Sequence, residues 1–507
     1  MTGGLLGLDL LGPALGRERA LEACRLAVAA ARTAGAEEAE AFLSGRAGSF
    51  TRFAEDRVSQ PQDITEWQLM VRAGVGGRSV RVATTDLAAA ASTGRWATER
   101  ARQLVAAAGA LAPLGSPPTG TDPEPVDDAL LGSDDTLLWS DDTAAWDVGA
   151  RVQAAREAMH AAAGAGGAAF GMLGQAASEL AVVTTSGRER YAAGSEALGT
   201  LTVRIGDGTS HWVDLDRRLG VLALPAAVAA TVEEAARGRG RTELADGRYD
   251  VVFGPLATGG LLEGFAAYGF TGDAVASGVG AVATRRGERV APAEVDVSDD
   301  PRGRRGLPFP FDMEGTPTTR VPLLDSGVIS GAVTDRASAA RSGLPTTGHA
   351  HIAREETPHA TPASLALAPG KATTEELVAG VERGVYVQRL WYLRVVDAAA
   401  TTLTGGSRDA CFLIEDGRLA GPVAPARFTE SVFGALGRVD AVGRDVLAQP
   451  LPNVWNGCVT APAVRVRGFR FGAAPASGPG PGPTAPDTPH DTPHDPMHEP
   501  MHDPRKG

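Results

Sequence analysis

The chain has 507 residues, of which 43% are hydrophobic and 21% charged, a balance of folded globular proteins and a length that suggests two or three domains. Its formal charge of -13 argues against broad nucleic-acid binding, which needs clustered Lys and Arg against phosphates, and no uninterrupted apolar run nears the ~18 residues of a membrane span. Three widely spaced cysteines (Cys24, Cys411, Cys458) can build neither a disulfide framework nor a four-cysteine zinc site, so a reducing cytoplasm is the expected setting.

Residues 1–16 read as an N-terminal extension: Asp9 interrupts their apolar patch and no basic residues precede it, so export is not expected. Arg17 to Gly35 has the alanine-rich periodicity of an amphipathic helix. "EAEAFLSGRAGSFTRFAEDRVSQ" and "EWQLMVRAGVGGRSVRVATT" then read as strands around a turn, and Asp86 to Ala108 as helix. This order predicts an α+β layer with helices on one sheet face. Leu111 to Asp142, rich in Pro, Gly and Asp, reads as a long connection, followed by a helix near Thr143 to Ala163, the alternating stretch "ELAVVTTSGRERYAAGSEALGTLTVRIGDGTSHWVDLDRR", and a helix at Pro225 to Gly238.

A boundary near Gly247 separates this N-terminal α+β domain, residues 17–246, from a β-rich domain over 247–472. The latter opens on the strand "RYDVVFGP" and a helix after Pro255, and a further helix is expected over Thr373 to Arg389. Asp325-Ser326-Gly327 and Glu415-Asp416-Gly417 are hairpin signals, because glycine supplies the positive φ such turns require. Residues 473–507 carry proline too often for a helix and too few apolar side chains for a core, which predicts a disordered Pro/His-rich tail.

Several segments resemble, in order, those of the TldD/PmbA family, described as modulators of DNA gyrase and as peptidases with their partners. They are "TRFAEDRVSQ", "VRAGVGGRSVRVATTDL", "YDVVFGPLATGGLLEGFAAYGFTGDA", "GLPFPFDMEGTPTTRVPLLDSGVISGAVTDRASAARSG", "TPASLALAPG" and "DACFLIEDGRLAGPV". The run Phe311-Asp312-Met313-Glu314-Gly315-Thr316-Pro317 is the most specific. The resemblance implies one of two branches: a TldD-type subunit with His-Glu-x-x-x-His and a metal-binding cysteine near its C-terminus, or a TldE (PmbA)-type subunit without that motif. The two together resemble a heterodimeric zinc protease that admits unfolded peptides to a chamber.

Laid over "GGLLEGFAAYGFTGD", the family motif places Glu263 at the first histidine, Gly264 at the catalytic glutamate and Tyr268 at the second histidine. Zinc takes neutral imidazole, thiolate or carboxylate ligands, usually three plus a water in a catalytic site. Glycine is no base, tyrosine is a rare ligand, and Glu263 alone cannot hold the ion. The resemblance therefore implies a metal-free TldE-like chain with no catalytic residues or cofactor of its own, zinc being expected in a TldD-like partner. Cys458 falls near the family's metal-binding cysteine but is followed by Val459 and Thr460, as in the metal-free branch, and reads as a structural thiol.

Two other readings stand beside this one. An independent hydrolase, or an enzyme tailoring a peptide-like natural product, could have moved its chemistry to His349, His351, His359 or Cys458; His349 and His351 are two apart, hence on one face of a strand. A regulatory protein linked to gyrase or an antitoxin is the third, without support for direct DNA binding from the acidic charge. His490, His494, His498 and His502 recur every fourth residue in the tail, and loose binding of Zn²⁺, Ni²⁺ or Cu²⁺ is one use for them, a solubilising tail the other. Asp312 and Glu314 precede a Gly315-Thr316-Pro317 turn and read as hydrogen-bonding groups of the fold, Ser186 and Ser407 lack a nucleophile elbow, and Gly74 to Gly77 matches no phosphate-binding loop.

Overall fold

Helix Arg17–Thr33 buries Leu21, Cys24, Val28 and Ala31, the three- and four-residue spacing the sequence announces, and crosses helix Ala90–Ala108 at Gly94. A Cβ on Gly94 would sit 2.1 Å from the Ala27 carbonyl oxygen, so only glycine permits the crossing. These details come from a computed structural model that describes residues 12–108, 138–266, 269–352, 358–451 and 454–472. Tyr268, residues 109–137 of the long connection, and the Pro/His-rich segment with His490, His494, His498 and His502 lie outside the described residues.

Strands β1 (Glu38–Glu55), β2 (Arg57–Val75), β3 (Arg78–Thr84), β4 (Ala168–Thr184), β5 (Glu189–Ile205) and β6 (Gly208–Asp216) form an antiparallel sheet of order β3-β2-β1-β4-β5-β6. Odd-numbered residues of its inner strands, such as Leu43, Phe53, Leu173 and Ala181, and even-numbered ones of the edge strands, Val82 and Trp212, pack under helices Arg17–Thr33, Ala90–Ala108, Val148–Gly164 and Leu224–Arg237. The opposite face, through Phe42, Met70, Leu180 and Val182, packs on Phe309, Phe311 and Met313 of the C-terminal half. A strand alternates its side chains between faces, so one sheet carries the helices and still meets the other half.

β4 begins at Ala168, eleven residues before the alternating stretch that flags it. Gly171 and Gly174 obscure the pattern, and they are small for a reason: a Cβ there would lie 2.7 Å from the Phe53 ring and 2.3 Å from the Phe50 ring. The expected helix near Thr143 is two pieces, Asp141–Ala144 and Val148–Gly164, the latter capped where Asp147 Oδ1 accepts the Ala150 N–H at 2.7 Å. The segment Leu219–Arg237 is long and apolar enough to cross a membrane by composition, but it breaks at Ala223, which adopts φ 43, and packs on β5 and β6. There Glu234 accepts a hydrogen bond from Ser210 Oγ.

The second sheet uses β7 (Gly247–Phe253), β8 (Val297–Asp299), β9 (Val321–Asp325), β10 (Val328–Ile329), β13 (Ser364–Leu367), β14 (Arg383–Asp397), β15 (Thr402–Glu415) and β16 (Arg418–Pro422). It is completed by β17 (Arg427–Ser431), β18 (Val439–Pro450) and β19 (Cys458–Phe471). The main path is β10-β9-β8-β13-β19-β7-β14-β15-β16, with β13 parallel to β19 and β14 parallel to β7. β11 (Ala350–His351) and β12 (His359–Ala360) pair by themselves. Both hairpin signals hold: Ser326 and Gly327, and Asp416 and Gly417, all have positive φ between paired strand residues.

The expected helix over Thr373 to Arg389 is corrected. Helix stops at Ala379, and Arg383–Asp397 is β14. Gly380 ends the helix, and Val385, Tyr386 and Val387, β-branched and aromatic, lie in register with Val251, Val252 and Phe253 of β7. Pairing at the centre of the sheet outweighs the local pattern.

Candidate functional site

Helix Pro255–Ala266, which carries the motif positions, follows β7 directly and lies against β14 and β19. Leu261, Leu262 and Phe265 are buried, and the Phe265 ring stacks on Phe270 at 4.3 Å and meets Phe433 edge-on at 5.7 Å. A Cβ on Gly264 would sit 2.3 Å from Leu403 Cδ1, and Leu403 is 1% exposed. Gly259 is equally tight, its Cβ position being 2.5 Å from Gln449 Nε2. The helix is a close-packed element, and any side chain at 264 would first have to displace Leu403. Glu263, half-buried, is the one described motif position with a donor atom, and among the described residues no three His, Cys, Asp or Glu side chains could hold a metal ion. The residues present do not fit a zinc site.

Cys458 begins β19, and strand alternation turns it to the opposite face from Val459, which packs beside Gly259 of the motif helix. Burial pushes its thiol up to about 12, so it stays protonated at neutral pH, whereas metal binding and nucleophilic attack need the thiolate. Cys24 and Cys411 are buried and unpaired as well.

The histidines do converge. β11 and β12 set His351 opposite His359, and the His349 and His351 rings are 6.1 Å apart. Within the cluster their states differ. His349 is fully buried with both nitrogens engaged, Nε2 with Asp299 Oδ1 at 3.0 Å and Nδ1 with the Thr347 carbonyl at 2.9 Å. His351 is 5% exposed, and neither ring nitrogen has a hydrogen-bond partner in the structure. Burial, reinforced by His349, pushes it down to about 3, so it is neutral across the physiological range.

Asp312 is a hub of backbone order. Its Oδ1 accepts the Glu314 and Thr316 N–H groups and its Oδ2 the Ala350 N–H, each at 2.9 Å. Ser407 Oγ, on β15, accepts the Ala426 N–H from the segment entering β17, and Ser186 Oγ hydrogen-bonds Thr184 Oγ1 within a turn.

Sequence reasoning missed a buried ionic chain that joins the halves. Glu314 Oε2 accepts from Arg336 Nε and backbone N, both at 3.0 Å; Arg336 Nη2 also reaches Glu40; and Arg72 bridges Glu40 at 2.7 Å and Glu38 at 2.9 Å. Burial alone would raise the Glu40 carboxyl, but Arg72 and Arg336 hold it at about 2. The signal was present in "EAEAF": Glu38, Glu40 and Phe42 share one strand face, and Phe42 is buried. It missed a second feature as well, a cavity of about 300 Å³ reached by the arginine run "PRGRR" and lined in part by Cys458.

Comparison with known proteins agrees with this architecture. Residues 246–473 match the family model described as the PmbA/TldA metallopeptidase C-terminal domain. A metalloprotease of Methanothermobacter thermautotrophicus is 27% identical over 199 residues, 39% of this chain and 43% of that protein. A metalloprotease of Synechocystis is 28% identical over 162 residues, 31% of this chain and 34% of its own length, so the chain spans well under half of these curated relatives. Crystal structures extend the likeness of fold to nearly the whole chain. TldE from Thermococcus kodakarensis superposes with a TM-score of 0.72 at 18% identity, covering 88% of this chain and 99% of its own. A Thermotoga maritima protein described as a modulator of a DNA gyrase gives 0.72 at 19% identity, covering 88% and 98%. Residues 246–473 are thus a PmbA/TldA-type C-terminal domain, and the ordered motif segments, the metalloprotease relatives and the shared fold support the TldD/PmbA family for the chain.

Proposed function

We propose that this chain is a metal-free, TldE-like subunit that acts in the cytoplasm with a TldD-like zinc peptidase, completes its chamber and positions unfolded peptide or peptide-like substrate there. The observation that carries the reading is Gly264, which offers no base and has Leu403 packed over the place where a side chain would begin. Cys458, a buried thiol held in its protonated form, supports it.

A subunit also needs a surface for its partner. Beyond the point where β14 leaves β7, the β14–β15 ribbon, held by β17 on its other edge, forms an arm whose outer side leaves Trp391, Tyr392, Val395 and Val396 between 43% and 67% exposed. Arg389 and Arg408 stack over Trp391, and Arg394 over Tyr392. Contiguous aromatic and aliphatic side chains with arginines are the composition of protein interfaces, and we assign the arm to the TldD-like partner. Substrate positioning would follow from backbone pairing of an extended peptide along a sheet edge.

The test is reconstitution. The chain and a TldD-like chain carrying His-Glu-x-x-x-His are purified separately and together, and zinc content and cleavage of an unfolded peptide are measured. Activity restricted to the mixture, with zinc in the partner, is the expected result. Near-stoichiometric zinc and peptidase activity in this chain alone would refute the reading.

A further inference from the structure

The cavity beside Cys458 has a floor, a wall and a rim of different chemistry. Strand register builds the floor: Ser298 of β8, Ala366 of β13 and Thr460 of β19 lie in one row, with Ser364 and Cys458 in the next, all on the same face. Hydroxyls and small groups there leave about 300 Å³ empty above three strands whose backbone is already paired. Leu307, Pro308 and Val446 form an apolar wall.

The rim is cationic. Arg304, Arg305 and Arg320 line it, against one lining carboxylate, Asp300. Arg305 is committed to Asp214 at 2.5 Å and Asp216 at 2.7 Å, and Arg320 to Asp296 at 2.7 Å. Arg304 differs: its carbonyl oxygen accepts hydrogen bonds from Arg217 and Arg218, while its exposed guanidinium has no partner among the described residues. The lining thus sets three arginines against one carboxylate, a local positive excess on a chain of net charge -13. A free guanidinium pairs bidentately with a carboxylate, and the nearby Asp300 favours a singly charged anion over a dianion such as phosphate.

We propose that this cavity binds the C-terminal carboxylate of a peptide, with Arg304 as its charged contact and the terminal residue seated over the Ser364–Ala366 floor. The peptide class rests on the peptide-handling reading above; the requirement for a terminal carboxylate rests on the cavity alone.

Isothermal titration of the full chain with two otherwise identical N-acetylated Gly-Ser-Ala-Ala peptides, one ending in a carboxylate and one in an amide, tests it, with inorganic phosphate as a third titrant. The acid peptide should bind at least tenfold more tightly than the amide. Arg304→Gln, on an exposed side chain, should remove that preference, Ala366→Leu should block binding by filling the floor, and Arg286→Gln, an exposed arginine elsewhere, should change nothing. Equal binding of acid and amide, or a preference that survives Arg304→Gln, overturns the carboxylate site and leaves the reconstitution result untouched. Arg304-dependent binding of phosphate without the acid peptide overturns the peptide class.

Discussion

Gly264→Ala is a small change with two opposed effects. Alanine in a helix interior is favoured over glycine by roughly 0.5–1 kcal/mol through backbone entropy and propensity. Against this, the new Cβ would lie 2.3 Å from Leu403 Cδ1, well inside the ~3.5–4 Å of a favourable carbon contact, and Leu403, 1% exposed, would have to repack within the core. Overpacking of this kind costs about 1–3 kcal/mol, so the variant should be less stable by about 1 kcal/mol. Leu403→Ala alone leaves a cavity and should cost about 2–5 kcal/mol. In the double variant the alanine at 264 enters the vacated space, so the pair should be more stable than the sum of the singles by about 1–3 kcal/mol. Urea denaturation of the four proteins at pH 7 measures this cycle. An additive double, or a Gly264→Ala protein more stable than its parent, would mean that Leu403 is not packed over position 264. If the cycle closes as expected, Gly264→Glu should be still less stable and should gain no peptidase activity.

Other expectations follow from named groups. His351 is neutral in the fold down to about pH 3, whereas the unfolded chain protonates it near 6.5. The unfolded state therefore binds more protons between those values, and the stability His351 contributes is lost as pH falls through that window, by about 2 kcal/mol between pH 7 and pH 5. His351→Phe should flatten the pH dependence of the melting temperature by that amount; an unchanged slope would show that His351 is already solvated or charged. Arg336→Leu leaves Glu40 and Glu314 buried without their shared cation and should cost about 3–5 kcal/mol in denaturant titration, part of it recovered when Glu314 is also made leucine, since Glu40 keeps Arg72. On the arm, Tyr392→Ser with Val396→Ser should change stability by less than about 0.5 kcal/mol, both being exposed, yet weaken association with a TldD-like chain at least tenfold by titration. Unaltered affinity would place the partner elsewhere.

The long-period patterns were legible in the sequence, and the contacts made across chain distance were not. Helix Arg17–Thr33, the hairpins at Asp325–Gly327 and Glu415–Gly417 and the helices on one sheet face follow from local periodicity and turn chemistry. β14 was concealed because its segment also satisfies a helical pattern, and only its parallel pairing with β7, more than a hundred residues earlier, settles the choice. The start of β4 was concealed by glycines whose purpose lies in Phe50 and Phe53 of another strand. At the candidate site, the substitutions at Glu263 and Gly264 are visible in the one-dimensional text, but the packing of Leu403 over 264 is not, because Leu403 lies on a strand the sequence does not place. The cavity rim was visible only as an arginine run, since its floor is assembled from three strands by register.

The Asp312 carboxylate ties the turn after Phe311 to Ala350 and, through it, holds the short strand that carries His351. A run that works through three backbone N–H groups contributes to architecture whether or not any metal is bound nearby. A chain without a metal-binding helix therefore still depends on this run, because losing it would unfasten the turn and the short strand together.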